Sequence, residues 1–210
     1  MKIVVFGANG KTGLQIVKQA LEKGHEVIGF IRTPGSLMID HTNLKITVGN
    51  LNEKLKLRDA ISGADACISA LGGQSITKRS DDFTNGIDSV INTMEKEGVS
   101  RLIYLSSIGA GESRLIMPQP GRFIIADLLL RVPLADHSDN EKRIANSKLR
   151  WTIVRPGGLT ESTLLTDVNF GTEKIMLKGS PKISRTNVAA FILKQLEDDT
   201  FINKSVWLYE

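Results

Sequence analysis

The chain has 210 residues, 41% of them hydrophobic and 24% charged, with a formal net charge of +4. That length supports one sizeable core and is short for two full domains, and the composition is that of an ordinary soluble globular protein. Lysines and arginines are scattered along the chain and aromatics make up only 5%, which argues against a nucleic-acid-binding surface.

Lys2 to Phe6 is a short β-rich apolar run, far too short for a secretion signal and leading straight into glycines. Leu14 to Lys23 carries Leu14, Val17, Ala20 and Leu21 at helical spacing and is closed by Gly24. Strands are predicted at Glu26 to Ile31, Leu44 to Val48 and Ala66 to Ala70, with a helix from Leu55 to Ile61 before the last of these. Cys67 is the only cysteine, so no intrachain disulfide forms; its apolar neighbours Ala66 and Ile68 mark a small core residue. A reducing cytoplasm is the expected location. Asp81 to Glu97 reads as a helix with Phe83, Ile87, Val90, Ile91 and Met94 on one face. A strand at Leu102 to Leu105, a helix at Ser138 to Ser147 and a strand at Trp151 to Val154 complete the pattern. Near-continuous apolar strands alternating with helices predict an α/β fold, a Rossmann-like doubly wound parallel sheet flanked by helices, as a single domain over residues 1–210.

One segment breaks the rhythm. Gly109 to Pro133 holds three prolines and several glycines, with a short helix possible at Phe123 to Arg131. Asp127 and Arg131 interrupt the apolar stretch, which is too short to span a bilayer. An insertion at about 111–135, beyond a strand end in an open α/β sheet, is placed to form a substrate wall or lid. Packing on a neighbouring subunit or on the domain's own core is the equal alternative, and monomer and dimer both stay open.

The glycines carry the strongest signal. Gly7-Ala8-Asn9-Gly10-Lys11-Thr12-Gly13 follows a strand and opens a helix, the context a dinucleotide-binding turn requires. Glycines let the backbone turn sharply and approach a pyrophosphate, and the helix presents its free N–H groups. Position 32 bears on the choice of cofactor. NAD enzymes place an acid at the end of the second strand, where it would repel a 2′-phosphate; here stand Ile31-Arg32-Thr33. Arg32, helped by Thr33 or Lys11, is expected to grip that phosphate, so NADP (NADPH) is the expected cofactor. A solvated surface arginine is the plain alternative.

Together with Gly24-His25-Glu26-Val27, Ile31 to Pro34 and Trp151 to Pro156, the glycine loop resembles the atypical short-chain dehydrogenase/reductases. Within them it is most similar to the small NAD(P)H-binding group that includes the flavin reductases. The resemblance covers essentially the whole chain, including the tail Ile183 to Ala189. It implies that Asn50-Leu51 borders the adenine, with Asn50 standing where the family has Asp. It implies that Ala70-Leu71-Gly72 packs along the adenosine, that Ser106-Ser107 lies near the nicotinamide ribose and ring, and that Pro156-Gly157-Gly158 borders the nicotinamide. Ser107 and His137 match a serine and one of two pocket histidines in the flavin-reductase branch; the second histidine is replaced by Gly158.

Common short-chain dehydrogenases use a Tyr with a Lys four residues later as proton donor. Of the two tyrosines, Tyr104 is followed at that spacing by Ile108, and Tyr209 by a single residue. Alcohol–ketone chemistry thus lacks its donor, whereas a flavin or quinone spreads the developing charge and takes its proton from solvent. The expectation is an NADPH-dependent reductase of a planar small-molecule acceptor, with no membrane or nucleic-acid partner. Its rivals are a non-catalytic NADP-sensing regulator similar to NmrA-like proteins, and a sugar-nucleotide epimerase or dehydratase. Ser106 and Ser107 could instead satisfy backbone groups, and His137 could be a helix residue beside Asp136. Glu141 is a candidate acid or base, and Arg155 could bind an acidic substrate or pair with a carboxylate. His25 and His41 have no metal-ligand company, and no metal is expected.

Overall fold

The computed structural model describes residues 1–73, 75–120, 122–177 and 181–210, with only the backbone of Ile125 and Asp127. Eight strands form one sheet in the order β3-β2-β1-β4-β5-β6-β10-β8. They are β1 (Lys2–Phe6), β2 (Glu26–Ile31), β3 (Leu44–Val48), β4 (Ala66–Ser69), β5 (Arg101–Leu105), β6 (Arg150–Pro156), β8 (Asn169–Gly171) and β10 (Lys204–Tyr209). All neighbours run parallel except β8, which pairs antiparallel with β10. A separate parallel pair joins β7 (Gly158–Thr160) to β9 (Lys182–Ser184). The helices are α1 (Lys11–Glu22), α2 (Lys54–Ile61), α3 (Asp81–Glu97), α4 (Arg131–Ala145) and α5 (Arg185–Lys194).

Alternation along the strands divides the core in two. Ile3, Val5, Ile68 and Ile103 face α1 and α5, while Val4, Phe6, Cys67, Leu102 and Tyr104 face α2, α3 and α4. Burial pushes the Cys67 thiol pKa up, which suits a packing residue. The chain winds from β1 to β2 and β3, then crosses back to β4 on the other side of β1. The carboxyl ends of β1 and β4 therefore border the switch point, where open α/β sheets bind ligands.

Two helices begin three or more residues earlier than the spacing of apolar residues predicts. α1 starts at Lys11 directly after the glycine turn. α4 starts at Arg131, because Pro133 falls in its first turn, where no N–H partner is needed. The segment after β5 has its own structure: a 3-10 turn at Gly111–Ile116 and a π-helical stretch at Arg122–Leu129, with Gly121 outside the described residues. Ile116, Met117, Ala126 and Leu134 bury a small satellite core with Leu177 and Trp207, while Leu115, Phe123 and Leu128 are exposed. Among the described residues, no helix is long and apolar enough to cross a membrane.

Candidate functional site

The turn from β1 into α1 is tight enough to exclude side chains. Gly7 has φ +74°, and a Cβ on it would lie 2.9 Å from the Ala70 carbonyl oxygen. A Cβ on Gly13 would lie 2.1 Å from the Gly7 oxygen. Gly10 N–H donates to Gly7 O at 2.9 Å and closes the turn. No side chain caps α1 and no acid stands in its first turn. The N–H groups of Lys11, Thr12 and Gly13 are thus left without intrahelical partners at the positive end of the helix dipole. A turn closed to side chains at Gly7 and Gly13, backed by helix N–H groups without intrahelical partners, fits a pyrophosphate.

Beside it opens a cavity of about 560 Å³ whose lining includes Gly7, Asn9, Arg32, Thr33, Asn50, Leu51, Glu53, Leu71, Gly72 and Asp82. Arg32 is exposed and has no hydrogen-bond or ion-pair partner among the described residues. Lys11 is placed differently from the expectation: its ammonium meets Glu161 at 3.2 Å, and it does not line this cavity. Thr12 is buried in the first turn. The Asn50 backbone and side-chain amides both donate to Glu53 Oε1, at 3.1 and 3.4 Å. Glu53 also pairs with Lys56 at 2.6 Å, which with the Asn50 amide holds its carboxyl below the usual range. Leu51 packs on Gly86 of α3, and Ala70 approaches Gly7.

The remaining candidates lie outside that lining. Ser106 and Ser107 follow β5, Pro156 ends β6 and Gly157 follows it; Ile108 N–H donates to Pro156 O at 2.9 Å and ties the two loops together. Ser106 Oγ is buried with no partner among the described residues, while Ser107 Oγ donates to Ile108 O at 3.1 Å. His137 lies in the interior of α4, its Nδ1 2.8 Å from the Tyr104 hydroxyl, which also accepts from Asn140 Nδ2 at 3.3 Å. Its ring meets Phe83 edge-on, and Phe83 lines the cofactor-side cavity. Nothing in the sequence pattern pairs Tyr104 with His137; only the approach of β5 to α4 does. Burial raises the Tyr104 pKa strongly. Burial also lowers the His137 pKa, against the pull of Glu141 and Asp136.

This depression has a sign for stability. Below about pH 6.5 an unfolded histidine takes up a proton that the buried ring resists, so stability is present above that pH and is lost as the pH falls. In urea titrations at pH 7.5 and 5.5, the acid-induced loss is expected to be smaller in His137→Gln than in the unaltered chain. An equal loss in both would rule out this contribution.

Arg155 and Glu141 resolve together. The Arg155 Nε and Nη2 atoms donate to the two Glu141 carboxylate oxygens at 3.0 and 2.8 Å, and both residues are buried. Glu141 is therefore a structural partner rather than an exposed acid or base, and Arg155 is not free for a substrate. Arg79, which the sequence did not single out, pairs with buried Asp136 and with Asp139, fastening the loop before α3 to α4. His41 Nδ1 accepts from Asn43 N–H and His25 faces the chain's first amine; no metal-holding cluster occurs among the described residues.

A family profile described as NAD(P)H-binding matches residues 7–199. The chain belongs to this NAD(P)H-binding family. An uncharacterised chloroplastic protein of Arabidopsis thaliana is 30% identical over 215 residues, covering 95% of this chain and 74% of its own length. The photosystem II assembly factor Ycf39 of Synechocystis sp. is 26% identical over 169 residues, or 78% of this chain; the chain spans about half of that protein's length, 47%. Among solved structures, a short-chain dehydrogenase/reductase from Veillonella parvula in complex with NADP superposes with a TM-score of 0.82 at 20% identity, over 100% of this chain and 94% of its own. ChuY of Escherichia coli O157:H7, described as an anaerobillin reductase, gives 0.84 at 22% identity, over 100% and 97%. At such identities these two neighbours show the fold alone, a Rossmann-like α/β domain.

Proposed function

We propose that this protein is an NADPH-dependent oxidoreductase that transfers hydride to a planar conjugated acceptor, a flavin or a quinone, in the cytoplasm. The observation that carries the cofactor choice is Arg32, which lines the cavity and has no partner among the described residues, with no carboxylate ending β2. NADPH, when bound, supplies the hydride. The glycine turn would hold the pyrophosphate through Gly7, Gly10, Gly13 and the N–H groups of Lys11 and Thr12. Arg32 and Thr33 would hold the 2′-phosphate. Asn50, Leu51, Ala70, Leu71 and Gly72 would border the adenosine, and Ser106, Pro156 and Gly157 the nicotinamide half.

Ser107 and His137 are the candidates on the acceptor side. The Tyr104 hydroxyl is fully buried and engaged by His137 and Asn140, so it does not stand in for the missing Tyr–Lys donor. An acceptor that delocalises charge and takes its proton from solvent suits such a site. The 111–135 segment carries exposed apolar side chains, among them Leu115, Phe123 and Leu128, which suit an apolar acceptor.

The test is oxidation of NADPH and NADH by the purified protein with FMN, a small quinone and biliverdin offered in turn. Turnover with NADPH and one acceptor is expected. Tight NADPH binding without turnover would favour the second reading, a cofactor-sensing protein. The buried Tyr104 and the similarity to a protein named as an assembly factor speak for that alternative. Arg32→Asp removes a charge-assisted phosphate contact and adds a repelling one. It is expected to shift the NADPH-to-NADH affinity ratio by about 100-fold toward NADH. An unchanged ratio by calorimetry would reduce Arg32 to a surface charge.

A further inference from the structure

The turn following Arg32 is fastened more firmly than an exposed loop requires. Thr33-Pro34-Gly35-Ser36 has the features of a type II turn: proline second, glycine third with φ +72°, and Ser36 N–H donating to Thr33 O at 3.3 Å. The Ser36 hydroxyl donates to the same carbonyl at 2.6 Å and accepts from Asn9 Nδ2 at 3.0 Å. The next residue, Leu37, is buried and packs over Gly29. The turn is thus pinned to the core through Leu37 and to the glycine loop through Asn9. Arg32 itself has no such partner among the described residues, and Asn9, Arg32 and Thr33 all line the same cavity.

NADPH carries two anionic groups at a separation set by the ligand, the pyrophosphate and the 2′-phosphate. A protein gains from both only if its two subsites are held at the matching separation, because ordering a loose loop on binding subtracts from affinity. We propose that the Asn9–Ser36 hydrogen bond is a strut between the pyrophosphate loop and the Arg32 turn, making Asn9 and Ser36 positioning residues for selection of NADPH over NADH. The inference rests on Arg32 selecting the 2′-phosphate. Ser36 acts by holding rather than by touching the ligand, since its hydroxyl hydrogen is already directed at Thr33 O. NADH lacks the 2′-phosphate and does not draw on the strut.

The test is calorimetric titration of the unaltered chain, Ser36→Ala and Ser36→Thr with NADPH, NADH and 2′,5′-ADP. Ser36→Ala removes the hydroxyl and both of its hydrogen bonds, the strut to Asn9 and the bond to Thr33 O, and is expected to weaken NADPH and 2′,5′-ADP about fivefold and to leave NADH within about twofold. Ser36→Thr, which keeps the hydroxyl, is expected to restore both. Equal weakening of NADPH and NADH, or no weakening at all, overturns the strut while leaving Arg32 standing. Equal affinity of the unaltered chain for NADPH and NADH overturns the Arg32 assignment and the strut with it.

Discussion

Gly13→Ala is expected to weaken NADPH binding by about 100-fold or more, through loss of two or more charge-assisted hydrogen bonds to the phosphates. A methyl group on Gly13 would meet the Gly7 carbonyl oxygen at 2.1 Å, its carbon at 2.9 Å and Ala8 Cα at 3.1 Å. Every one of these obstacles is backbone, so no side-chain rotation relieves the clash. Gly7 cannot retreat freely either, since it lies against the Ala70 carbonyl on the far side. The first turn of α1 must therefore move off the loop, taking its free N–H groups with it. Gly10→Ala provides the graded control. Its methyl group would meet only the Gly7 oxygen, at 3.2 Å, and the expected loss is below about tenfold. Calorimetry with NADPH, alongside thermal melts to confirm that both variants fold, measures the difference. Wild-type affinity in Gly13→Ala would sink the assignment of this turn as the pyrophosphate cradle.

The glycine turn was legible because its requirements are local: spacing, a preceding strand and a following helix. The parallel sheet was legible for the same reason, from apolar strands such as Ile3 to Phe6 and Cys67 to Ser69 alternating with amphipathic helices. What stayed hidden depends on contacts between distant segments. Lys11 faces Glu161 rather than Arg32, a pairing set by how the chain after β7 returns across α1. Tyr104 meets His137 across 33 positions, and no periodicity announces it. The last strands were missed because β7, β8 and β9 have three residues each, too short for an alternation to show. β10, six residues of mixed polarity from Lys204 to Tyr209, becomes a strand by pairing with β6. The Thr-Pro-Gly-Ser turn was readable from its own residues; its attachment to Asn9 was not.

Glu141→Ala is expected to destabilise the fold by about 3–5 kcal/mol, the range for breaking one side of a buried ion pair. Arg155 projects from β6 and Glu141 from α4, and their two-point contact lies under Gly111, where a Cβ would come within 2.6 Å of Glu141 Oε2 and 3.0 Å of Arg155 Nη2. Removing the carboxylate leaves a guanidinium with little access to water. Its remaining acidic partner among the described residues, Glu112, is 3.9 Å away, half-exposed and already held by Lys174 at 2.7 Å, so it compensates poorly. The cost arises from the stranded charge rather than from any special strength of the pair. Replacing both partners, as Glu141→Leu with Arg155→Met, is accordingly expected to recover most of the loss. Urea denaturation of the two variants measures both effects, and a cost below about 1 kcal/mol for Glu141→Ala would contradict the buried-pair account. The same proteins separate structure from catalysis. If Glu141 serves only to hold Arg155, the double variant keeps its NADPH affinity and its turnover, whereas loss of turnover with binding intact would return Glu141 to the reacting site.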